Sequence, residues 1–528
     1  MKRLLPLIAA ALLLAALPSA ASASATQESM FQDDPLLVYG APAEVDSTLD
    51  TIASLGVDRI RISVFWANVA PANDQVQKPS FDATDPAAYP AAGWAPYDHL
   101  ITDALARGIL VDLDITSPVP RWAASAAPSD RADLQKNWGP NPVEFGEFVK
   151  AVGTRYSGTY MGLPRVDYWS IWNEPNQAGW LTPQWSPDPR NAKREVESSP
   201  AVYRSLVDAA WQGLADSGHG TDTILIGETA PQGQGKGKGI TQSIDALRFI
   251  RQMYCLDSNL NLIKGSSATV RSCPDNVATF VAQNPGLFHA TGWAHHPYDL
   301  VSPPGLKPSD PDWVTMANLP DLSRELRRIY ERYGQKLPTT RGVPLYLTEY
   351  GYQTKPDPFA AATFSQQAAY LDQAEYIASR NRDVRALSQF LLVDDAPDPR
   401  YKTTGPQASL AWRTFQSGLE LLSGKHKPAY RAYVTPLFIK RVRVRHGTAV
   451  PLFGMLRPAP PTSRPKVSIQ WRSKHGKVWH TRKRVSVAGP RHYFNTSVVA
   501  PATGYIRLRW INAGQALASR AAAVTVTH

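Results

Sequence analysis

The last stretch of this 528-residue chain has no acidic side chains. Val434 to His528 holds seventeen Lys and Arg but not one Asp or Glu. The whole chain carries +11, so removing this +17 leaves −6 for residues 1–433. Opposite signs on the two parts predict two different domains. Cysteine is almost as scarce, with Cys255 and Cys273 alone. That excludes a cysteine-rich zinc module, and in an oxidising compartment it predicts one disulfide worth about 3 kcal/mol in the chain-entropy picture. Long apolar runs are missing too. Leu4 to Leu17 falls short of the roughly 20 residues a spanning helix needs, so no membrane span is expected. Flanked by Met1-Lys2-Arg3 and Ala23-Ser24-Ala25, this run reads instead as a secretory signal peptide over residues 1–25. The chain is therefore expected to be secreted, acting outside the cell or at its wall. There is no internal repeat, no nucleic-acid motif, and no Gly-rich phosphate turn after an early strand such as an open doubly wound sheet would carry.

What is present from residue 35 to 433 is an alternation of short β-branched runs with amphipathic helices. This predicts parallel strands joined by crossover helices, an α/β fold closing as a (β/α)8 barrel over residues 26–433. The expected strands are Leu36–Gly40, Ile60–Trp66, Ile109–Thr116, Tyr168–Asn173, Ile224–Glu228, Leu287–His296, Leu345–Glu349 and Ala386–Val393. In the first helix, Val45, Leu49, Ile52 and Leu55 recur at helical spacing and Gly56 ends the run. After Tyr430 short alternating segments take over, and residues 434–528 read as a basic antiparallel β-sandwich.

A barrel places its chemistry at the C-terminal ends of its strands. Two such ends carry glutamate: Tyr168-Trp169-Ser170-Ile171-Trp172-Asn173-Glu174-Pro175-Asn176 and Leu345-Tyr346-Leu347-Thr348-Glu349-Tyr350-Gly351. Cleaving a glycosidic bond needs one carboxylic acid to protonate the leaving oxygen and a second carboxylate across the sugar ring, about 5 to 5.5 Å away when configuration is retained. Trp172 and Trp180 are candidates to pack on a pyranose face. His295 and His296 raise a metal, but neighbours on a strand point to opposite faces and no third ligand is evident, so no metal or cofactor is expected. Glu228, ending Leu225-Ile226-Gly227, is either a substrate contact or part of a buried network, and the network is preferred. Asp112 and Asp114 are expected in a polar layer inside the barrel.

These segments resemble the clan A glycoside hydrolases, whose fourth strand ends in Asn-Glu-Pro and whose seventh ends in a nucleophilic Glu. Trp172-Asn173-Glu174-Pro175-Asn176 with Trp180 is similar to the family thirty-nine xylosidase-like enzymes, and Arg61 to the family five cellulase-like ones. The resemblance implies Glu174 as acid/base, Glu349 as nucleophile, Asn173 on the sugar 2-hydroxyl, Tyr298 holding Glu349, and His296 in contact with substrate. Arg61 and Tyr298 would favour ionised Glu349, leaving Glu174 as the donor; Arg61 as a plain structural ion-pair partner is the other reading. Where many clan members carry a Trp after the eighth strand, this chain has Gln389-Phe390-Leu391-Leu392, followed by Asp394 and Asp395. The function implied is retaining hydrolysis of a β-linked oligosaccharide or polysaccharide, with a catalytically inactive carbohydrate-binding or surface protein as the alternative. The basic sandwich is either a stabilising module or a holder of an anionic polymer by charge alone, such as an acidic polysaccharide, a cell-wall phosphate polymer or nucleic acid, though it carries no nucleic-acid motif.

Overall fold

The computed structural model describes residues 27–234 and 239–528. The segment expected as a signal peptide lies outside them. Eight parallel strands close a barrel: β1 Glu28–Gln32, β2 Arg59–Phe65, β3 Leu110–Thr116, β4 Tyr168–Ile171, β5 Thr223–Thr229, β6 Gly292–His295, β7 Leu345–Leu347 and β8 Val384–Phe390. They neighbour one another in chain order, and β1 pairs with both β8 and β2 to close the ring. No described helix is long and apolar enough to cross a membrane.

Period two sorts the strand side chains. On β2, Ile60, Ile62 and Val64 face the surrounding helices in the main apolar cluster. The alternate residues Arg59, Arg61 and Ser63 point inward. Below them Met30, Leu225, Ala294, Tyr346 and Ala386 form a small apolar plug. Arg59 lies over Tyr168 at 3.3 Å and pairs with Glu28. Higher up, Arg61 pairs with Asp114, and Ser170 donates to Asp112, so both aspartates lie in a buried polar layer.

The expected first strand, Leu36–Gly40, is not one. Asp33 accepts from the amide of Leu36 and Pro35 starts the turn, so Asp34–Leu37 is a short helix and β1 lies upstream. Leu287 likewise sits in the short helix Gly286–His289, and β6 begins only at Gly292. Cys255 and Cys273 are joined as a disulfide.

Beyond the helix Pro428–Val434 the chain is all β. The strands are β9 Leu437–Ile439, β10 Arg443–Arg445, β11 Ala449–Gly454, β12 Lys466–Ser473, β13 His480–Ser486, β14 Phe494–Val499, β15 Gly504–Asn512, β16 Gln515–Ala518 and β17 Ala522–Thr527. A sheet β9-β11-β14 and a sheet β10-β17-β15-β12-β13, with β16 also on β15, share one apolar cluster including Leu452, Ile469, Leu508 and Trp510. One detail departs from the expected antiparallel sandwich: β10 pairs with β17 in parallel.

This region is bound to the barrel by ion pairs, one of them buried on both sides. Arg457 pairs with Glu375 at 2.9 Å, Arg520 with Asp372 and Arg491 with Asp58. Tyr493 adds a hydrogen bond to Glu375, and the amide of Leu437 donates to Asp372.

Candidate active site

The turn after β4 is stitched to both neighbouring strands. The amide of Trp172 donates to the Ile115 carbonyl, that of Asn173 to Thr116 Oγ1, and that of Glu174 to the Glu228 carbonyl. Asn176 then clamps this turn to the segment after β5, donating to Ala230 and Ile244 carbonyls and accepting from the Ala230 amide. Trp172, Glu174 and Glu228 all have positive φ, at 67°, 35° and 42°. Non-glycine residues hold that conformation only where surrounding bonds over-determine it, and such positions cluster at functional sites.

Glu174 and Glu349 meet in the wall of a cavity of about 490 Å³ at the C-terminal end of the barrel. One carboxylate oxygen of each, with one nitrogen of His296, all lie within 4.8 Å of one another. Glu349 accepts from Arg61 Nη1 at 2.9 Å on one oxygen and from Tyr298 Oη at 3.1 Å on the other. Arg61 is wholly buried and spreads its other bonds over Gln32 at 2.6 Å, Asn173 Oδ1 at 2.8 Å and Glu228 at 3.1 Å. Fixing the Asn173 carbonyl oxygen leaves that side chain's amide nitrogen as the group it offers a ligand.

His296 links the carboxylates. Its Nδ1 is 2.9 Å from Glu174 and 3.5 Å from Glu349, and its Nε2 is 2.8 Å from Glu228. Burial works against charge on this ring, but Glu349, Glu174 and Glu228 outweigh it and lift the imidazolium to about 10. Through these contacts Nδ1 of His296 is shared between Glu174 and Glu349. Burial would raise Glu228, yet Arg61 and His296 overcome it and hold that carboxyl at about 2. Glu349 goes the other way. Its burial is the largest influence and lifts it above the ordinary range despite His296 and Arg61, with Glu174 and Glu228 adding to the rise.

The structure thus separates the sequence-predicted residues. Glu174, Glu349, Asn173, Tyr298 and Trp180 line the cavity. Arg61 and His296 lie behind it, touching carboxylates where a direct substrate contact had been expected of His296. Trp172 does not present a face to a sugar. It is fully buried, edge-on to Phe145 at 5.2 Å, and its indole N–H donates to the Trp180 carbonyl. Glu228 belongs to the buried network, where Thr348 also donates to it at 2.6 Å. Two participants escaped the sequence reading. Gln32 ends the true β1, hidden by the misplaced first strand, and Phe415 lines the cavity edge to face with Phe390 at 5.2 Å.

No family model matches the sequence, and no curated protein matches it. Among solved structures, the chain is similar to Fpglu1 from Fervidobacterium pennivoraus, with 14% identity and a TM-score of 0.42 over 78% of this chain and 92% of that one. It is also similar to the β-glycosidase of Thermosphaera aggregans, with 15% identity and a TM-score of 0.43 over 75% and 84%. A third is the exo-β-1,4-mannosidase Op5Man5 from Opitutaceae bacterium strain TAV5, with 15% identity and a TM-score of 0.41 over 77% and 58%.

Proposed function

We propose that this chain is a retaining glycoside hydrolase that cleaves a β-linked glycan by double displacement, exported by its N-terminal leader. The observation that carries the reading is the closeness of the two cavity carboxylates. An oxygen of Glu174 lies within 4.8 Å of one of Glu349, closer than the roughly 6.5 to 9.5 Å between the carboxyls of inverting enzymes and near the about 5 to 5.5 Å of retaining ones.

Roles follow from what each group touches. Glu349, gripped by Arg61 and Tyr298, has its oxygens fixed for attack on the anomeric carbon. Attack breaks the glycosidic bond while Glu174 delivers a proton to the leaving oxygen, giving a glycosyl ester on Glu349. Glu174 then takes a proton from water, which attacks the same carbon and frees Glu349. Asn173 offers its amide to the sugar hydroxyl beside the reacting carbon. Trp180 and Phe390 supply faces for the apolar sides of sugar rings.

The test is turnover of a panel of aryl β-glycosides and β-linked polysaccharides by the wild type and by Glu349→Ala, with azide supplied to the variant. Activity lost in the variant and regained as a glycosyl azide of inverted anomeric configuration supports the reading. A wild type that binds a glycan on the panel but turns over none would move the chain to the carbohydrate-binding alternative.

A further inference from the structure

The outer face of the larger C-terminal sheet carries cations in a domain that has no acidic side chain of its own. On β12 and β15 the inward residues are Val467, Ile469, Ile506 and Leu508, all in the shared core. The alternate positions, Lys466, Ser468, Gln470 and Arg472 on β12 and Tyr505, Arg507 and Arg509 on β15, therefore point out. Register aligns Ser468 with Arg484 of β13 on one side and with Arg509 on the other, and Gln470 with Arg507. Arg484 and Arg509 thus stand two strands apart in one row, about 10 Å, and Lys466 to Arg472 runs about 20 Å along the sheet. Arg484, Arg509 and Lys466 are exposed, while Arg507 and Arg472 are half-buried.

The two half-buried arginines are held in place. Arg507 donates to Gln470 at 2.9 Å and lies over Trp479 at 4.2 Å; Arg472 donates to the Gly476 carbonyl and lies over Trp479 at 5.2 Å and Tyr505 at 4.6 Å. Stacking fixes a guanidinium's plane while leaving N–H groups for an oxyanion. Burial first, then Arg509, Arg431 and Arg472, push Arg507 below its ordinary value, the mark of like charges crowded together. Arg457, Arg491 and Arg520 of this region spend their charge on barrel carboxylates, and with no Asp or Glu after residue 434 the sheet face has no acidic neighbour within its own domain.

We propose that this face, built on Arg472, Arg484, Arg507 and Arg509, is a docking surface for an acidic polysaccharide, a chain of uronate sugars whose carboxylates pair with the guanidinium rows. Charge complementarity over a flat surface suits an extended polyanion. Trp479 is already overlaid by two guanidinium groups, so the face lacks the free aromatic platforms on which single-stranded bases stack. The choice of a glycan also rests on the proposed reading of the barrel.

The experiment is affinity electrophoresis of the full chain through gels containing polygalacturonate, neutral hydroxyethylcellulose or nothing, beside binding to a 20-nucleotide DNA at the same ionic strength. The wild type is expected to be retarded by polygalacturonate only, with retardation weakening as salt rises. Arg484→Ala/Arg509→Ala, both exposed and so expected to fold, should bind at least about tenfold more weakly, and Arg472→Ala/Arg507→Ala likewise. Hydrolysis of a small aryl glycoside is measured on the same samples, and loss of retardation with that hydrolysis unchanged assigns the effect to the sheet. No retardation in the wild type, unchanged binding by both double variants, or tighter binding to DNA than to polygalacturonate would each overturn the proposal. Retardation persists whether or not the aryl glycosides are turned over, so failure of the hydrolase reading is visible separately.

Discussion

Glu228 Oε2 lies 2.8 Å from Nε2 of His296, whose other ring nitrogen lies 2.9 Å from Glu174. A buried carboxylate thereby holds a cation against the proposed acid/base. Replacing Glu228 with Gln removes the charge that favours the imidazolium, so His296 would lose its proton at lower pH. The expected result is a kcat reduced by about 10²-fold and an alkaline limb of the pH–rate profile displaced towards neutrality. Glu228→Asp should restore part of both. A Gln variant with reduced kcat and an unmoved alkaline limb would reduce Glu228 to packing.

The two tryptophans near Glu174 should separate cleanly. Trp172 is fully buried in a left-handed conformation, so Trp172→Ala leaves a cavity and is expected to cost about 3 to 5 kcal/mol of stability. Trp180 lines the cleft and is partly exposed. Trp180→Ala should leave the unfolding free energy within about 0.5 kcal/mol of wild type and raise KM for longer substrates. Denaturant titration with kinetics on two substrate lengths checks both. An unstable Trp180 variant or a stable Trp172 variant contradicts the assignment.

Why these two were not told apart from sequence is instructive. Aromatic residues beside Asn-Glu-Pro were legible as belonging to the site region, but which way a side chain turns depends on φ, and the positive φ at Trp172 swings it into the helical layer beside Phe145. Strand ends with long apolar runs, such as β2, β3 and β5, could be located because period two and flanking glycines mark them. The first strand could not, since Glu28-Ser29-Met30-Phe31-Gln32 has little β-branched character and abuts the apolar turn Leu36-Leu37. That one displacement concealed Gln32. The Glu228–His296 contact is a product of closure between β5 and β6 and has no local sequence signature beyond an acidic strand end. The charge asymmetry of the C-terminal part was plain in the sequence, whereas its three arginine ties to the barrel were not.

Those ties make the C-terminal region part of the barrel's stability. Arg457 is buried with its guanidinium over Tyr433 at 4.2 Å and bonded to Glu375. Arg457→Met leaves Glu375 buried without its cation, a change expected to cost about 3 to 5 kcal/mol. The double variant Arg457→Met/Glu375→Gln should recover much of that loss, because it removes the stranded charge as well. Midpoints that fall equally in the single and double variants would show that packing, and not charge pairing, holds the junction.

Buried carboxyls set the expected pH dependence of stability. Burial raises Asp33, Asp112, Asp299 and Asp372 from 3.8 to about 7 in each case, against opposing hydrogen bonds from the amides of Leu392 and Leu36 for Asp33 and the charge of Arg520 for Asp372. A group whose folded value lies above its unfolded one stabilises the fold below the unfolded value, and that contribution is lost as pH climbs through the folded value. All four therefore favour the native state near pH 4 and cease to do so by about pH 7. His296, lifted from 6.5 to about 10, continues the same trend above neutrality. Glu228 has the opposite sign, but its value of about 2 confines its loss to pH below 4.5. The thermal midpoint should accordingly peak near pH 4.5 and decline steadily to pH 8, and Asp299→Asn, which keeps the hydrogen-bonding shape beside Tyr350 and Tyr352 without a titrating proton, should flatten the fall between pH 5 and 7. A midpoint that instead rises from pH 5 to 8 would mean that these carboxyls are ionised in the folded chain, and that the barrel supplies them with counter-charge or water beyond the contacts described.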